Sequence, residues 1–432
     1  RRQSGVGTAS LLVTASQFHL TFYASRMLPN IFATIVCLHA YAFWVQGQVP
    51  WAAVGLIFAT AIFRCDVVLL LFTAGLCWLV QRQLTIGQAL RIGISTGIVA
   101  LAVSVPLDSV LWQQRETPMW PEGHVFYYNA ILGQSEAWGV SPWHWYLTSA
   151  LPKALLGTAL LFPLSVLGDG LLLGPSRQAE FFCHTRSSSL LFMVMPSWWW
   201  MPMLFTFVGF VGLYSCLGHK EVRFLFPALP LANVLAGVGL SRLYTSCWQP
   251  GDSRKKKDDD KNFKDQQSRR LQRLVGQLFY VATWGLLAMS FMASAAFVAV
   301  SRQNYPGGKA MEYLAATSVD ISQQQACCVY IDNYAAMTGV SRFGQRTLPK
   351  HCAVVKAGYE QDKSQLLHEN KDGLMLTHLV TEDPTLGGNA FDIVVTIPGH
   401  PRLNVKKFRV DTSDALYILE RKDTSFSSSS SD

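Results

Sequence analysis

The chain has 432 residues, 50% hydrophobic and only 15% charged, with a mean hydropathy of +0.22. Water-soluble domains carry about 25% charged residues, so the composition argues against a soluble protein and for a membrane protein. The net charge of +8 is not a nucleic-acid footprint, because residues 254–273 hold nine basic against four acidic side chains and supply most of it.

In chain order, Met27–Phe63 is free of Asp, Glu, Lys and Arg, and Gly47, Val49 and Pro50 predict a turn inside it. Arg64 and Asp66 then interrupt the apolar chain. Further apolar runs follow at Ile92–Leu107, Ala154–Gly168, Ser189–Leu217, Phe224–Ser241 and Leu274–Ser301. A helix needs about 20 apolar residues to cross a bilayer. Ser189–Leu217 and Leu274–Ser301 exceed that length, and the shorter runs extend through apolar neighbours, with Lys153 reaching back to the interface. About eight spans result, with those before Val80 the least sharply bounded.

Short loops rich in Lys and Arg stay on the cytoplasmic side. Arg82 and Arg91 flank one such loop, Arg177 and Arg186 occupy a second, and residues 246–273 form a third. The loop 108–146, the segment His219–Arg223 and everything after Arg302 then share the opposite face, which is a lumen for an internal membrane. Residues 302–422 change character. Val329–Ile331, Ala353–Val355, Phe391–Ile397 and Ala415–Leu419 predict strands, and Gly387-Gly388 predicts a turn. This part reads as a small lumenal α/β domain, followed by a Ser-rich, disordered tail at 423–432. Residues 168–188 read as a loop with a poorly defined helix. The nine cysteines show no metal-ligand spacing. Cys37, Cys65 and Cys77 fit an apolar core, and Cys327, Cys328 and Cys352 leave a disulfide open.

Three clusters could carry chemistry. The loop from Asp108 to Tyr146 holds nine aromatic residues, Trp120, Tyr127, Tyr128 and Trp143 among them, with Arg115, Glu116, Glu122, His124 and Glu136. It reads either as an aromatic belt at the membrane interface or as a carbohydrate platform, where rings stack on sugar C–H faces and carboxylates take hydroxyls. Arg64 is a candidate for gripping phosphate, although Arg64 and Asp66, two apart, could equally pair at a span end. In Gly218-His219-Lys220-Glu221-Val222-Arg223-Phe224, four ionisable side chains fall within five positions between two charge-free runs. Charge entering lipid costs about 2.5–3.5 kcal/mol per residue. The segment is therefore either a hydrated boundary turn or a site. Lys220 and Arg223, three apart, would share one face of a helical turn and neutralise a phosphate.

The string His219-Lys-Glu-Val-Arg-Phe224, followed by Pro227, resembles the His-Lys-Glu-x-Arg-Phe signature of the glycosyltransferase family 22 mannosyltransferases. Gln17-Phe-His-Leu-Thr-Phe-Tyr23, Arg26, Pro29-Asn30, Phe63-Arg64, Asp108-Ser-x-x-Trp112, Trp120-Pro-Glu-Gly123, Tyr128-Asn129, Asn304-Tyr-Pro-Gly-Gly308 and Gly339-Val-Ser-Arg342 agree in order. Within the family the strings are most similar to the α-1,6-acting branch. The resemblance weakens at 169–202 and after Lys350. It implies a polytopic α-helical membrane protein of GT-C type in the endoplasmic reticulum, with its active face lumenal. Its donor would be dolichyl-phosphate-mannose and its acceptor a dolichyl-diphosphate-linked oligosaccharide, with no cofactor, metal or nucleic acid. The implied substrate-binding residues are His219, Lys220, Glu221, Arg223, Arg26, Arg64, Asp108, Trp120, Glu122 and Tyr128. The family's first lumenal loop carries an acidic motif that has no counterpart here, so the catalytic base is expected upstream of Arg1. Alternatives are another dolichyl-phosphate-mannose-dependent member of the family (α-1,2-acting, on the N-glycan precursor or a GPI anchor), a lipid or sugar transporter, and an inactive fragment.

Overall fold

A computed structural model describes residues 2–24, 26–113, 116–165, 200–248, 263–317, 327–340, 345–349, 352–356, 376–404, 406–407 and 409–422. The expected loop at 168–188 and the tail 423–432 lie outside these residues, as do 249–262 of the expected loop 246–273, whose described ends, 246–248 and 263–273, are helical and not loop. The chain divides into two compact units, Arg1–Ser294 and Ala295–Asp432.

The first unit is helical. Its elements are α1 (Arg2–Ala15), α2 (Phe18–Tyr23), α3 (Pro29–Val45), α4 (Val49–Phe58), α5 (Val67–Val80), α6 (Ile86–Leu111), α7 (Pro121–Phe126), α8 (Leu151–Leu155), α9 (Met201–Ser215), α10 (Leu229–Trp248) and α11 (Phe263–Ser301), the last running on past the unit's end. Proline in the first turn starts α3, α4, α7, α8 and α9, where its missing N–H costs no helical bond. Thr85 and Gln88 close a capping box at the start of α6. The turn expected near Gly47–Pro50 separates α3 from α4. Among the described residues, three helical stretches are long and apolar enough to cross a membrane: Ile86–Leu111, Tyr146–Ser165 and Leu274–Ser301. Five shorter apolar helices accompany them. Ile94, Ile98, Val103 and Leu107 of α6 point outward and exposed, the reverse of a water-soluble helix.

The core of this unit gathers Trp44 edge-on to Trp78, with Leu56, Leu70, Phe207 and Phe210 around them. Buried polar groups pair inside it. The Gln17 amide donates to Thr158 Oγ1 and to Asn233 Oδ1, both at 2.8 Å, and Asn233 donates to Thr14 Oγ1 at 3.0 Å. In an apolar surround such bonds fix which helix faces which.

The second unit carries a five-stranded sheet in the order β2-β1-β3-β5-β4. Its strands are β1 (Cys327–Ile331), β2 (Cys352–Val355), β3 (His378–Thr381), β4 (Phe391–Asn404) and β5 (Arg409–Arg421). β1 runs parallel to β2 and β3, while β5 pairs antiparallel with β3 and β4. Val329 and Ile331 face a cluster with Ala310, Met311 and Leu314 of helix α12 (Pro306–Thr317), and Cys328 and Tyr330 face Leu379 and Leu419. β1 is therefore buried on both faces, as a central parallel strand should be. Cys327 is disulfide-bonded to Cys352, its register partner on β2. β3 is the strand that periodicity missed: four residues beginning with a histidine carry little pattern of their own, and they are strand because β1 and β5 flank them.

Candidate functional site

The segment 218–224 leaves α9 through a turn, runs extended at Glu221 (φ −135°, ψ 151°), and closes into one 3₁₀ turn over Val222–Leu225. The expected helical face shared by Lys220 and Arg223 does not form. On extended backbone, successive side chains point to opposite sides. Lys220 turns inward and is 6% exposed, and its ammonium donates to Ser141 O at 2.9 Å and to Leu217 O. A buried ammonium must spend its donors this way. His219 and Glu221, two apart, meet at 3.1 Å between Nε2 and Oε1. Arg223 closes on the same carboxylate, with Nε–Oε2 at 2.5 Å and Nη2–Oε1 at 2.7 Å, and its side chain stays 44% exposed. Glu221 thus orders His219 on one side and an outward guanidinium on the other. His219 Nδ1 also faces Gly139 O at 3.1 Å.

Several distant strings hold this segment. Asn30 donates to Arg223 O at 3.2 Å and Tyr41 donates to Pro227 O at 2.6 Å. Tyr23 and His19 of α2 pack their rings on Phe226, with centroids 4.9 and 6.3 Å away. Across from them, Ser141 donates its N–H to Gly218 O at 3.0 Å. Gly218 admits this approach because a methyl group there would meet Glu136 Cγ at 3.0 Å. The strip 136–141 of the aromatic loop therefore runs beside residues 218–220. Arg26, expected at the phosphate, lies over the ring of Phe22, 4.6 Å from its centroid.

Arg64 and Asp66 form a second focus. α4 continues as a wider π-helical turn over Ala59–Phe63, a feature frequent at functional sites. Arg64 is extended, and its guanidinium meets Asp66 twice, Nε–Oδ1 at 3.1 Å and Nη2–Oδ2 at 2.7 Å. The pair is largely buried, with side chains 20% and 11% exposed, not solvated at a span end. Asp66 is the N-cap residue of α5, yet its carboxylate makes no capping bond, forgoing a contribution of about 1 kcal/mol. Instead Oδ2 accepts from Tyr214 Oη at 2.6 Å.

Trp120-Pro-Glu-Gly123 docks on this focus. Trp120 Nε1 donates to Ala61 O at 2.8 Å, and Glu122 Oε2 accepts the Cys65 N–H at 2.6 Å. The Trp120 ring covers Gly123, where a Cβ would lie 2.2 Å from Cε3. The polar atoms that sequence reasoning offered to a sugar are thus spent on backbone. Burial raises the Glu122 carboxyl above the usual glutamate range, the Cys65 N–H and the Arg64 charge pull it down, and Asp66 pushes it up again. Asp108 falls inside α6, not in a loop, and accepts from Ser104 Oγ at 2.6 Å. Tyr128 stays outward and 41% exposed, as do Tyr127 and Trp143.

Sequence reasoning missed the parts played by Asn30, Tyr41, Asp66 and Tyr214. Tyr214 lies in a charge-free run where nothing marks it, and Asp66 was visible only as a neighbour of Arg64.

A family model, the Alg9-like mannosyltransferase family, matches residues 2–343. The chain belongs to the Alg9-like mannosyltransferase family. The match covers Arg64, Asp66, the Trp120–Gly123 turn and the whole 218–224 segment, and it ends before β2. Among individual Alg9-like relatives, the Dol-P-Man:Man(7)GlcNAc(2)-PP-Dol alpha-1,6-mannosyltransferase of Arabidopsis thaliana is 33% identical over 383 residues, covering 89% of this chain and 64% of the relative. A probable counterpart from Schizosaccharomyces pombe is 29% identical, covering 92% and 62%. A GPI alpha-1,2-mannosyltransferase 3 from Danio rerio is 31% identical over only 34% of the chain. The chain spans less than two thirds of the length of the α-1,6-named relatives it matches. No solved structure matches it.

Proposed function

We propose that the protein transfers mannose from dolichyl-phosphate-mannose, in α-1,6 linkage, to a dolichyl-diphosphate-linked oligosaccharide carrying seven mannoses. The observation that carries this reading is the breadth of the similarity. Relatives named for that reaction align over 77–92% of the chain, whereas those named for α-1,2 transfer to GPI align over 34–39%.

In this reading Arg223 meets the donor phosphate, with Glu221 and His219 holding the guanidinium in place, and Lys220 fixes the backbone that carries them. The acceptor's 6-hydroxyl attacks the anomeric carbon. The bond from that carbon to the phosphate oxygen breaks, and the electron pair leaves with dolichyl phosphate, whose charge Arg223 stabilises. A carboxylate takes the hydroxyl proton. Exposed Tyr127, Tyr128 and Trp143 suit the acceptor sugars, whose C–H faces stack on rings.

The same reading puts the protein in the endoplasmic reticulum membrane with about eight spans and the 218–224 segment lumenal. The apolar helices and the charge distribution of the loops support it. So does the Cys327–Cys352 disulfide, which persists in oxidising compartments such as that lumen. Expression in cells arrested at the seven-mannose lipid-linked oligosaccharide tests the proposal. Conversion to the eight-mannose species, with the new linkage sensitive to an α-1,6-mannosidase, is expected. Persistence of the seven-mannose species, or an α-1,2 product, overturns it.

A further inference from the structure

We infer that Asp66 and Tyr214 are positioning residues for this transfer, holding the Phe224 ring and, through it, the His219–Arg223 segment in its donor-binding arrangement. The inference rests on the reading that this segment meets the donor phosphate, and it adds residues that the sequence strings did not assign.

Three observations carry it. First, Asp66 stands where an aspartate would ordinarily cap α5, and both its oxygens go elsewhere: to Arg64 through two bonds and to the Tyr214 hydroxyl through a third. The geometry favours a link across the fold over a local helix end. Second, that link ends on Phe224. The Tyr214 ring stacks on it at 5.6 Å and 28°, and the Arg64 guanidinium lies 5.1 Å from its centroid. One charged group and one ring, joined through Asp66, therefore bear on the same phenyl group. Third, Phe224 follows Arg223 directly and touches the His219 ring edge-on at 5.7 Å. A tilt of Phe224 moves both ends of the row that Glu221 organises. Tyr214 is 3% exposed, so water cannot replace its hydroxyl bond without repacking.

The test is a steady-state analysis of Tyr214→Phe, Asp66→Asn and their double variant in the membrane-embedded protein, with Arg223→Ala alongside. Tyr214→Phe keeps the ring and removes one hydrogen bond. The donor KM is expected to rise roughly five-fold, the equivalent of one buried hydrogen bond, with the acceptor KM and folded yield unchanged. Asp66→Asn is expected to raise the donor KM further, and the double variant to be no worse than Asp66→Asn alone, because the two residues act through one bond. A wild-type donor KM in Tyr214→Phe, or a loss of kcat in proportion to folded yield, overturns the positioning role even if Asp66→Asn fails to fold. Wild-type transfer by Arg223→Ala instead overturns the donor-binding reading itself, so the two failures are distinguishable.

Discussion

Residues 219–223 and residues 120–123 are both short segments outside the long apolar helices, and they satisfy their polar groups in opposite directions. In the first, His219, Glu221 and Arg223 satisfy one another and leave a guanidinium facing outward, while the Lys220 ammonium turns in to backbone carbonyls. In the second, Trp120 and Glu122 spend their polar atoms on the backbone of Ala61 and Cys65, and the turn becomes a latch. The difference is one of backbone. Extended residues alternate sides and expose every second side chain, whereas the turn at Trp120 curls its ring over Gly123 and faces inward.

That contrast can be broken by mutation. The largest expected effect is Arg223→Ala: on the proposed role of that outward cation at the donor phosphate, mannose transfer should slow by on the order of 10²-fold or more; a wild-type rate would erase the distinction between the two segments. Lys220→Met should act on stability. It strips the partner from two half-buried carbonyls at a loss of about 1–3 kcal/mol, read as a lower thermal midpoint in detergent.

Gly123→Ala should cost about 1–3 kcal/mol, because the added methyl overlaps a rigid indole ring. Gly218→Ala is the control. It meets Glu136, an exposed and flexible side chain, so its cost should stay below about 1 kcal/mol. Equal losses at the two glycines would mean that the latch is no more rigid than the strip.

Glu122→Gln should be the mildest. Because burial raises the Glu122 carboxyl in the folded state, the folded protein binds that proton more tightly than the unfolded chain. Stability from this group is fully present below about pH 4.3, the ordinary glutamate value, and is lost as pH rises through the raised one. Glutamine keeps an acceptor for the Cys65 N–H and carries no charge, so that decline should flatten in a series of thermal melts across this range. An unchanged slope would show that Glu122 is better solvated than its position implies.

Much of the architecture could be read from the chain alone. The apolar runs announced helices, the change after Arg302 announced strands, and the His219–Phe224 string, with its companions, announced the family. Each of these is a local or periodic signal, carried by residues near one another in sequence. The breaks came where partners were distant. β3 is strand because of its neighbours, and Asp108 is helical because α6 runs further than its apolar stretch suggested. Lys220 proved to be an anchor because Ser141, 79 residues away, lies beneath it.

Composition and motif therefore pointed to a helical membrane protein of the Alg9-like mannosyltransferase family. They did not determine which charges face out. Asp66 could have capped its own helix, but its carboxylate meets the Tyr214 hydroxyl, 148 residues along the chain, instead. Hydrogen-bond partners in an apolar interior are chosen by what packing brings within 3 Å, and no spacing along the chain encodes that.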